Sequence, residues 1–282
     1  MTRFLAAAVL LASGMLPGGA AAQFNLNLNR LIDTGKNLRE AFKDVDEKQE
    51  AEIGADYAAV LVGASPLLDN PAVEQYVNRV GRWLSLHSER PGLNWQFGVL
   101  DTNTVNAFST PGGYVLISRG LLQRLKNEAE LAGVLSHEIA HVVRKHHLTA
   151  MRKSKGMEAG ANALSLYLEQ GGQRNAAAKE KLVGGMKEVM LRGLDKDDEF
   201  EADRMGVVIA ARSGYDPFGL PSVIQMLQAS NPKDSELALM FQTHPDPGSR
   251  LDALDRAMGN RMDRYASQPQ MADRYAGVMR AK

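Results

Sequence analysis

Residues 137–141 are His137-Glu138-Ile139-Ala140-His141, and this stretch decides how the rest of the sequence is interpreted. It lies inside residues 128–146, where apolar side chains recur at helical spacing, so we predict one helix over that range. Two helical residues that are four apart project from the same face. The pattern therefore predicts two imidazoles on one face of a helix, with a carboxylate beside them.

Such a pair of imidazoles has an evident chemical use. Two histidines at this spacing can bind one Zn²⁺ ion, at about 2.0–2.1 Å from each nitrogen. Glu138 is then placed to take a proton from metal-bound water, whose pKa the metal lowers, and to carry it to the leaving amine. This H-E-x-x-H arrangement is typical of zinc peptidases. We therefore predict His137 and His141 as metal ligands and Glu138 as the general base and acid.

A catalytic zinc site usually has three protein ligands and one open position, and two residues compete for the third place. His147 has the spacing of H-E-x-x-H-x-x-G-x-x-H, but that pattern requires a glycine where this sequence has Arg144. If the helix continues, His147 is rotated by about 120° from His141. We therefore interpret His146 and His147 as solvated histidines at a helix end.

The better candidate for the third ligand is Glu199. Glu199 and Asp203 are four residues apart in a predicted helix over residues 197–211, so they share one face. One carboxylate can bind the metal while the other supports a ligand histidine through its second ring N–H. The alternative is a charged, solvated helix face, because three aspartates lie within residues 195–198.

The rest of the chain predicts an α+β fold class, mostly helical with a small early β-sheet. Runs of β-formers predict strands over residues 95–100, 105–109 and 114–118, with Pro111-Gly112-Gly113 as the turn between the last two. Residues 154–195 are rich in glycine, and we expect two helical pieces there around a loop. Helices are predicted from about residue 51 and over residues 71–87, 128–146, 197–211, 217–228 and 247–258.

The composition excludes several classes of protein. Equal numbers of basic and acidic side chains, 33 of each, give a formal net charge of zero, which argues against a globally basic nucleic-acid binder. The absence of cysteine excludes disulfides, cysteine-zinc sites, thiol nucleophiles and a cysteine-linked lipid anchor. Histidines and carboxylates are the strong metal ligands that remain.

The N-terminus is typical of a signal peptide. Arg3 precedes an apolar run over residues 4–16, and Ala20-Ala21-Ala22 fits a cleavage site of small residues. A membrane anchor is the alternative, but the run is short and is interrupted by glycine and proline. We expect a cleaved signal peptide over residues 1–22, a periplasmic rather than a secreted location, and no membrane span in the remaining chain.

Several spaced motifs, in a consistent order, resemble metallopeptidase family forty-eight, the gluzincins that include HtpX, BepA and the CAAX prenyl proteases. The resemblance covers about residues 51–260 and is greatest to the periplasmic BepA-like members. The motifs that carry it are His137 to His141, Glu199 to Asp203, Thr243-His244-Pro245, Asn106-Ala107-Phe108, Pro111-Gly112-Gly113 and Gly120-Leu121-Leu122. The fold it implies is zincin-like, with the H-E-x-x-H segment on the active-site helix.

The resemblance also implies roles for single residues. His137, His141 and Glu199 match the ligands of one zinc ion per chain, Glu138 matches the general base and acid, and Asp203 matches the carboxylate behind a ligand histidine. His244 matches a histidine near the metal, which either stabilises the oxyanion or binds zinc in a latent state; the alternative is a plain loop histidine. Arg250 matches an arginine that orients the site or the scissile carbonyl, and the alternative is a surface arginine.

The second predicted strand has an expected role in binding substrate. Zincins hold a peptide as an added β-strand at the sheet edge, where main-chain hydrogen bonds supply affinity. Residues 105–109 would form that edge, with Asn106, Ala107 and Phe108 as substrate-binding residues. The alternative is a structural hairpin without substrate contact.

Together these patterns predict a zinc endopeptidase domain over residues 51–265, between a polar lead-in, 23–50, and a C-terminal tail, 266–282. We expect protein or peptide substrates in envelope protein quality control, hydrolysed by metal-activated water, and no nucleic-acid partner. Partner recruitment through a helical repeat domain is not expected. One alternative is a latent peptidase that acts as a chaperone-like or binding module; another is an enzyme with His147 as third ligand.

Overall fold

The computed structural model describes residues 45–153 and 192–280, together with Gly184 and Val189. The predicted signal peptide, residues 23–44 of the lead-in and nearly all of the glycine-rich stretch up to residue 191 lie outside these residues. The elements in chain order are α1 (Glu47–Ala64), α2 (Pro71–Ser85), β1 (Gln96–Leu100), β2 (Ala107–Thr110), β3 (Tyr114–Ser118), α3 (Arg119–Leu122), α4 (Glu128–Val143), α5 (His146–Lys153), α6 (Lys196–Arg212), α7 (Gly219–Gln228), α8 (Ala238–Thr243), α9 (Pro247–Met258), a 3₁₀ turn (Asp263–Tyr265) and α10 (Ala272–Arg280). The predicted α+β class, mostly helical with a small early sheet, is confirmed.

The three strands form one sheet in the order β1-β3-β2. β1 runs parallel to β3, and β2 runs antiparallel to β3, with Ala107 opposite Ile117 and Thr110 opposite Tyr114. The hairpin between β2 and β3 turns at Gly112, whose φ of +77° suits a residue without a Cβ. β2 therefore lies at an edge of the sheet, and within the described chain no strand pairs with its outer side.

Helix α4 is the centre of the fold. All of its residues except Val143 are buried, because α2, α6, α7 and the sheet surround it. It begins where the Asn127 side chain accepts a hydrogen bond from the Glu130 amide. A buried polar group without a partner is costly, and the ionisable side chains of α4 do have polar partners in the surrounding structure.

The prediction of one helix over residues 128–146 is wrong at its end. α4 ends at Val143, and Lys145 takes a left-handed conformation with a φ of +56° before α5 begins at His146. A left-handed residue breaks the helical hydrogen-bond ladder and turns the chain sharply. His146 and His147 therefore point in directions that a continuous helix would not give.

Both ends of the predicted domain differ in detail from the sequence-based boundaries. α1 begins at Glu47 rather than near residue 51, because Asp46 and Gln49 form a reciprocal capping box. The predicted tail, 266–282, contains α10, whose Tyr275 is 3% exposed and belongs to the main hydrophobic core. Arg274 on the same helix donates hydrogen bonds to the buried carboxylate of Glu128 at the start of α4.

Gly133 allows α7 to lie directly against α4. A Cβ at this position would be 2.5 Å from the Leu220 amide nitrogen and 2.8 Å from the Leu220 Cα, and backbone atoms cannot rotate away. Gly133→Ala is therefore expected to lower the free energy of unfolding by about 1–3 kcal/mol, measured by urea denaturation.

Gly277→Ala is the matched control for this substitution. Gly277 lies inside α10 with no atom within 4 Å of an added Cβ, so alanine should stabilise the protein by about 0.5–1 kcal/mol. Equal effects of the two substitutions would contradict close packing at Gly133.

Candidate metal centre

The two histidines of the motif meet as predicted. His137 and His141 lie one turn apart on α4, and their Nε2 atoms are 2.9 Å from each other. Both rings are almost completely buried, with exposures of 4% and 0%. The lone-pair nitrogens of both rings therefore point at the same place inside the protein.

Glu199 and His244 complete a cluster with these two rings. The Glu199 carboxylate on α6 lies 3.6 Å from His137 Nε2 and 3.5 Å from His141 Nε2. His244, at the end of α8, places Nδ1 3.0 Å from Glu199 Oε2. One ligand atom from each of the four residues lies within 4.8 Å of the others. The three predicted ligands are thus together, and His244 lies with them.

A close approach of two helices makes this meeting possible. Gly206 on α6 faces α4, where a Cβ would be 3.0 Å from the His137 amide nitrogen. Because α6 lies this close, Glu199 and Asp203, one turn apart on the same face, both reach the His137 ring. The predicted shared face of Glu199 and Asp203 is therefore directed inward rather than toward solvent.

The cluster has the chemistry of a cation site. Burial and the surrounding histidines hold the pKa of His141 well below its usual value, so this ring is neutral and offers a lone pair. Burial would raise the pKa of Glu199, but His244 and Arg250 lower it to about 2, so the carboxylate is ionised. Glu199 Oε1 is buried without a hydrogen-bond partner among the described residues. Two imidazole nitrogens and a carboxylate oxygen form a donor set that zinc binds.

Asp203 and Arg250 form a buried pair behind the cluster. Arg250 on α9 donates two hydrogen bonds to Asp203, at 2.8 Å and 2.6 Å, and its Nη1 lies 3.2 Å from Glu199. Arg250 is 3% exposed, so it is not a surface arginine. Asp203 Oδ1 also lies 2.9 Å from His137 Nδ1, although the contact does not have the straight geometry of a hydrogen bond. Burial would raise the pKa of Asp203, but Arg250 and His137 hold it below its usual value.

Glu138 has a partner that the sequence did not suggest. Ser109 on β2 donates a hydrogen bond of 2.7 Å to Glu138 Oε2, while His244 Nε2 lies 3.7 Å from Glu138 Oε1. Strand alternation places Ser109 on the same side of β2 as Ala107, which also lies beside Glu138. Once the side of β2 that faces α4 is known, this alternation is the signal by which Ser109 could have been found.

The interpretation of His146 and His147 as solvated residues is wrong. His146 is 3% exposed, and its Nδ1 lies 2.8 Å from His141 Nδ1. His147 is half-buried with Nε2 3.2 Å from Ser109 Oγ, and burial together with His146 lowers its pKa to about 3. The break at Lys145 turns both rings inward. His147 lies outside the four-residue cluster, which does not favour it as third ligand.

The predicted substrate-binding residues differ in exposure. Asn106 is completely buried, and its amide donates to Thr243 Oγ1 at 3.3 Å, which ties the start of β2 to the residue before His244. Ala107 is buried beside Glu138, and Phe108 is half-buried on the opposite side of the strand. Substrate binding by these three residues stays a prediction.

The space beside the cluster is small. The cavity between α4 and α7 next to His137, Glu138 and His244 has a volume of about 30 Å³, enough for about one water molecule. Its other walls are Ala107 of β2, Arg250 of α9 and apolar residues of α4, α7 and α8. A cavity of this volume is too small to hold a peptide segment.

Comparison with known proteins agrees with this geometry. Residues 70–258 match the family model of peptidase family M48, which confirms the resemblance found from the motifs. The chain is 31% identical over 252 residues to the beta-barrel assembly-enhancing protease of Escherichia coli K12, covering 88% of the chain and 51% of that protein. It is 28% identical over 218 residues to the mitochondrial metalloendopeptidase OMA1 of Arabidopsis thaliana, covering 76% of the chain and 42% of that protein. The chain thus spans about half the length of the first relative and less of the second.

Loss of Arg250 is expected to destabilise the metal-free protein strongly. In Arg250→Met, Asp203 and Glu199 lose their buried positive partner, which should cost about 3–5 kcal/mol of unfolding free energy. Urea denaturation in the presence of a chelator measures the effect. Arg256→Met, on the exposed side of the same helix, is the control, and an equally small change in both variants would contradict the structural role of the Arg250 pair.

Proposed function

The chain belongs to peptidase family M48, and on that premise we propose that it is a zinc-dependent endopeptidase with His137, His141 and Glu199 as metal ligands. The observation that carries the proposal is the convergence of three buried donor groups on one point, with Glu138 beside them. Zinc held there supplies Lewis-acid catalysis, because it polarises a carbonyl group and lowers the pKa of a water molecule.

In this proposal Glu138 acts as the general base and then as the general acid. Its carboxylate takes a proton from the attacking water and returns the proton to the leaving amine. Ser109 donates to only one carboxylate oxygen, so the other oxygen faces the cluster and His244. The proposed role of Ser109 is therefore to hold Glu138 in the orientation for proton transfer.

His244 and Arg250 have different proposed roles. His244 places its Nε2 3.7 Å from Glu138 Oε1, beside the cluster, so its ring is placed to donate a hydrogen bond to a developing oxyanion. Arg250 is fully engaged with Asp203 and Glu199, which favours orientation of the metal ligand over direct contact with the scissile carbonyl. The outer edge of β2 is the proposed place for the substrate strand.

A latent peptidase with a chaperone-like or binding role is the second candidate. Two observations favour it: His244 Nδ1 already contacts Glu199, and the cavity beside the cluster has room for about one water molecule. In that state His244 would take the coordination position that a catalytic water needs. Cleavage would then require movement of His244 and of the apolar wall beside it.

The proposed setting is the bacterial periplasm, with envelope proteins as substrates. The signal-peptide pattern over residues 1–22 supports export, and the Escherichia coli relative is named for enhancing β-barrel assembly. None of the helices in the described ranges is both long enough and apolar enough to cross a lipid bilayer. These observations are consistent with a role in the quality control of misassembled envelope proteins, which is the role we propose.

Glu138→Gln tests the mechanism. The variant should still bind about one zinc ion per chain, but casein cleavage should fall by at least about 10²–10⁴-fold, because the general base is removed. Glu52→Gln, at an exposed position of α1, is the control and should cleave like the wild type. Cleavage by Glu138→Gln at the wild-type rate would overturn the mechanism, and zinc binding without cleavage by the wild type would favour the latent state.

Two further variants test the assignment of the third ligand. Glu199→Gln removes the buried carboxylate of the cluster and should lose most of its bound zinc, whereas His147→Gln should keep it, because His147 lies beside Ser109 rather than in the cluster. The zinc content of each variant after gel filtration, measured by atomic absorption, shows which of the two residues is the third ligand. Zinc that survives loss of Glu199 but not loss of His147 would show the assignment to be wrong.

A further inference from the structure

The second ring nitrogen of His141 has an unusual partner. His141 Nε2 faces the metal cluster, and His141 Nδ1 lies 2.8 Å from His146 Nδ1. The two rings are nearly perpendicular, with centroids 5.0 Å apart, and both are buried. A ring that gives its Nε2 lone pair to a metal carries its proton on Nδ1. His141 must therefore donate this hydrogen bond, and His146 Nδ1 must accept it.

The same reasoning fixes the tautomer of His146. Because His146 Nδ1 accepts, its proton is on Nε2 in the neutral ring. That Nε2 lies 3.3 Å from Glu201 Oε2, so His146 donates to the Glu201 carboxylate. Arg144 holds the other oxygen of Glu201 at 2.6 Å. A continuous chain of donors and acceptors thus leads from the metal cluster through two imidazoles to a carboxylate.

This series of hydrogen bonds supports His141 in the way that Asp203 supports His137. The Nδ1 of His137 faces Asp203 directly, and Asp203 is in turn held by Arg250. His141 is too far along α4 for the same carboxylate, so a second histidine spans the gap to Glu201 on α6. The left-handed turn at Lys145 is what brings His146 into that position.

We propose that His146 and Glu201 are positioning residues for the metal ligand His141, which they hold in the Nδ1-protonated tautomer and in the orientation that binds zinc. The inference rests on the proposed zinc site at His137, His141 and Glu199. A carboxylate reached through a second ring strengthens the ligand, because each acceptor holds the ring that donates to it in a single tautomer and increases the basicity of that ring. Neither residue contacts substrate.

The test is zinc affinity, measured by competition with a chromogenic chelator on the full chain. His146→Leu removes the acceptor and should weaken zinc binding by about 10-fold to 100-fold. Glu201→Gln removes the terminal charge and should weaken binding by a smaller factor. Asp197→Asn, the same change of charge at an exposed position of α6, should leave affinity unchanged. Circular dichroism and thermal unfolding of the metal-free variants show whether each one folds.

A third variant separates positioning from simple loss of packing. In His146→Asn the side-chain oxygen can take the place of Nδ1 as acceptor from His141, so this variant should lose less affinity than His146→Leu. Because His146→Asn also cuts the connection to Glu201, adding Glu201→Gln to it should cause no further loss.

The possible results are distinguishable. If folded His146→Leu and Glu201→Gln bind zinc within about twofold of the wild type, His146 and Glu201 do not position His141. The inference would also be overturned if the double variant His146→Asn, Glu201→Gln lost as much zinc affinity as the two single variants together. If the wild type binds no zinc, or if His141→Ala binds it as the wild type does, the proposed metal site fails and the inference fails with it.

Discussion

Burial of ionisable side chains around α4 is the constraint on which the rest of the structure depends. Glu138, Glu199, Asp203 and Arg250 are each at most 3% exposed, and a buried charge without a partner costs several kcal/mol. The fold meets this requirement by bringing α6 and α9 against α4, so that Arg250 contacts both Asp203 and Glu199. The contacts that form the metal centre therefore also hold the helices together.

Local rules of helix geometry were sufficient to predict the centre of the site. The four-residue spacing of His137 and His141, and of Glu199 and Asp203, depends only on the helical period, so their shared faces could be predicted without knowledge of the packing. The resemblance to the family then implied that Glu199 joins the two histidines as a ligand of one metal ion, which requires the two helices to lie together. The strands were also predicted to within two residues at each end, because Pro111-Gly112-Gly113 marks the hairpin clearly.

The residues that sequence reasoning missed depend on tertiary contacts or on a single unusual backbone angle. Lysine has no strong preference for the left-handed conformation, so no pattern marked Lys145 as the end of α4. That one angle decides whether His146 faces solvent or His141. Ser109 was missed for a different reason: its partner Glu138 is 29 residues away, and no local pattern specifies which side of the edge strand faces α4.

The charges of the cluster also limit which positive charges it can hold at the same time. Three carboxylates, those of Glu138, Glu199 and Asp203, surround the site, and Arg250 compensates only part of their charge. Glu199 and Glu138 raise the pKa of His244, which means that they stabilise a second positive charge. A divalent cation between His137, His141 and Glu199 would compete with the His244 proton for the same carboxylates. A protonated His244 and a divalent cation at His137, His141 and Glu199 are therefore two alternative charge arrangements of the same cluster.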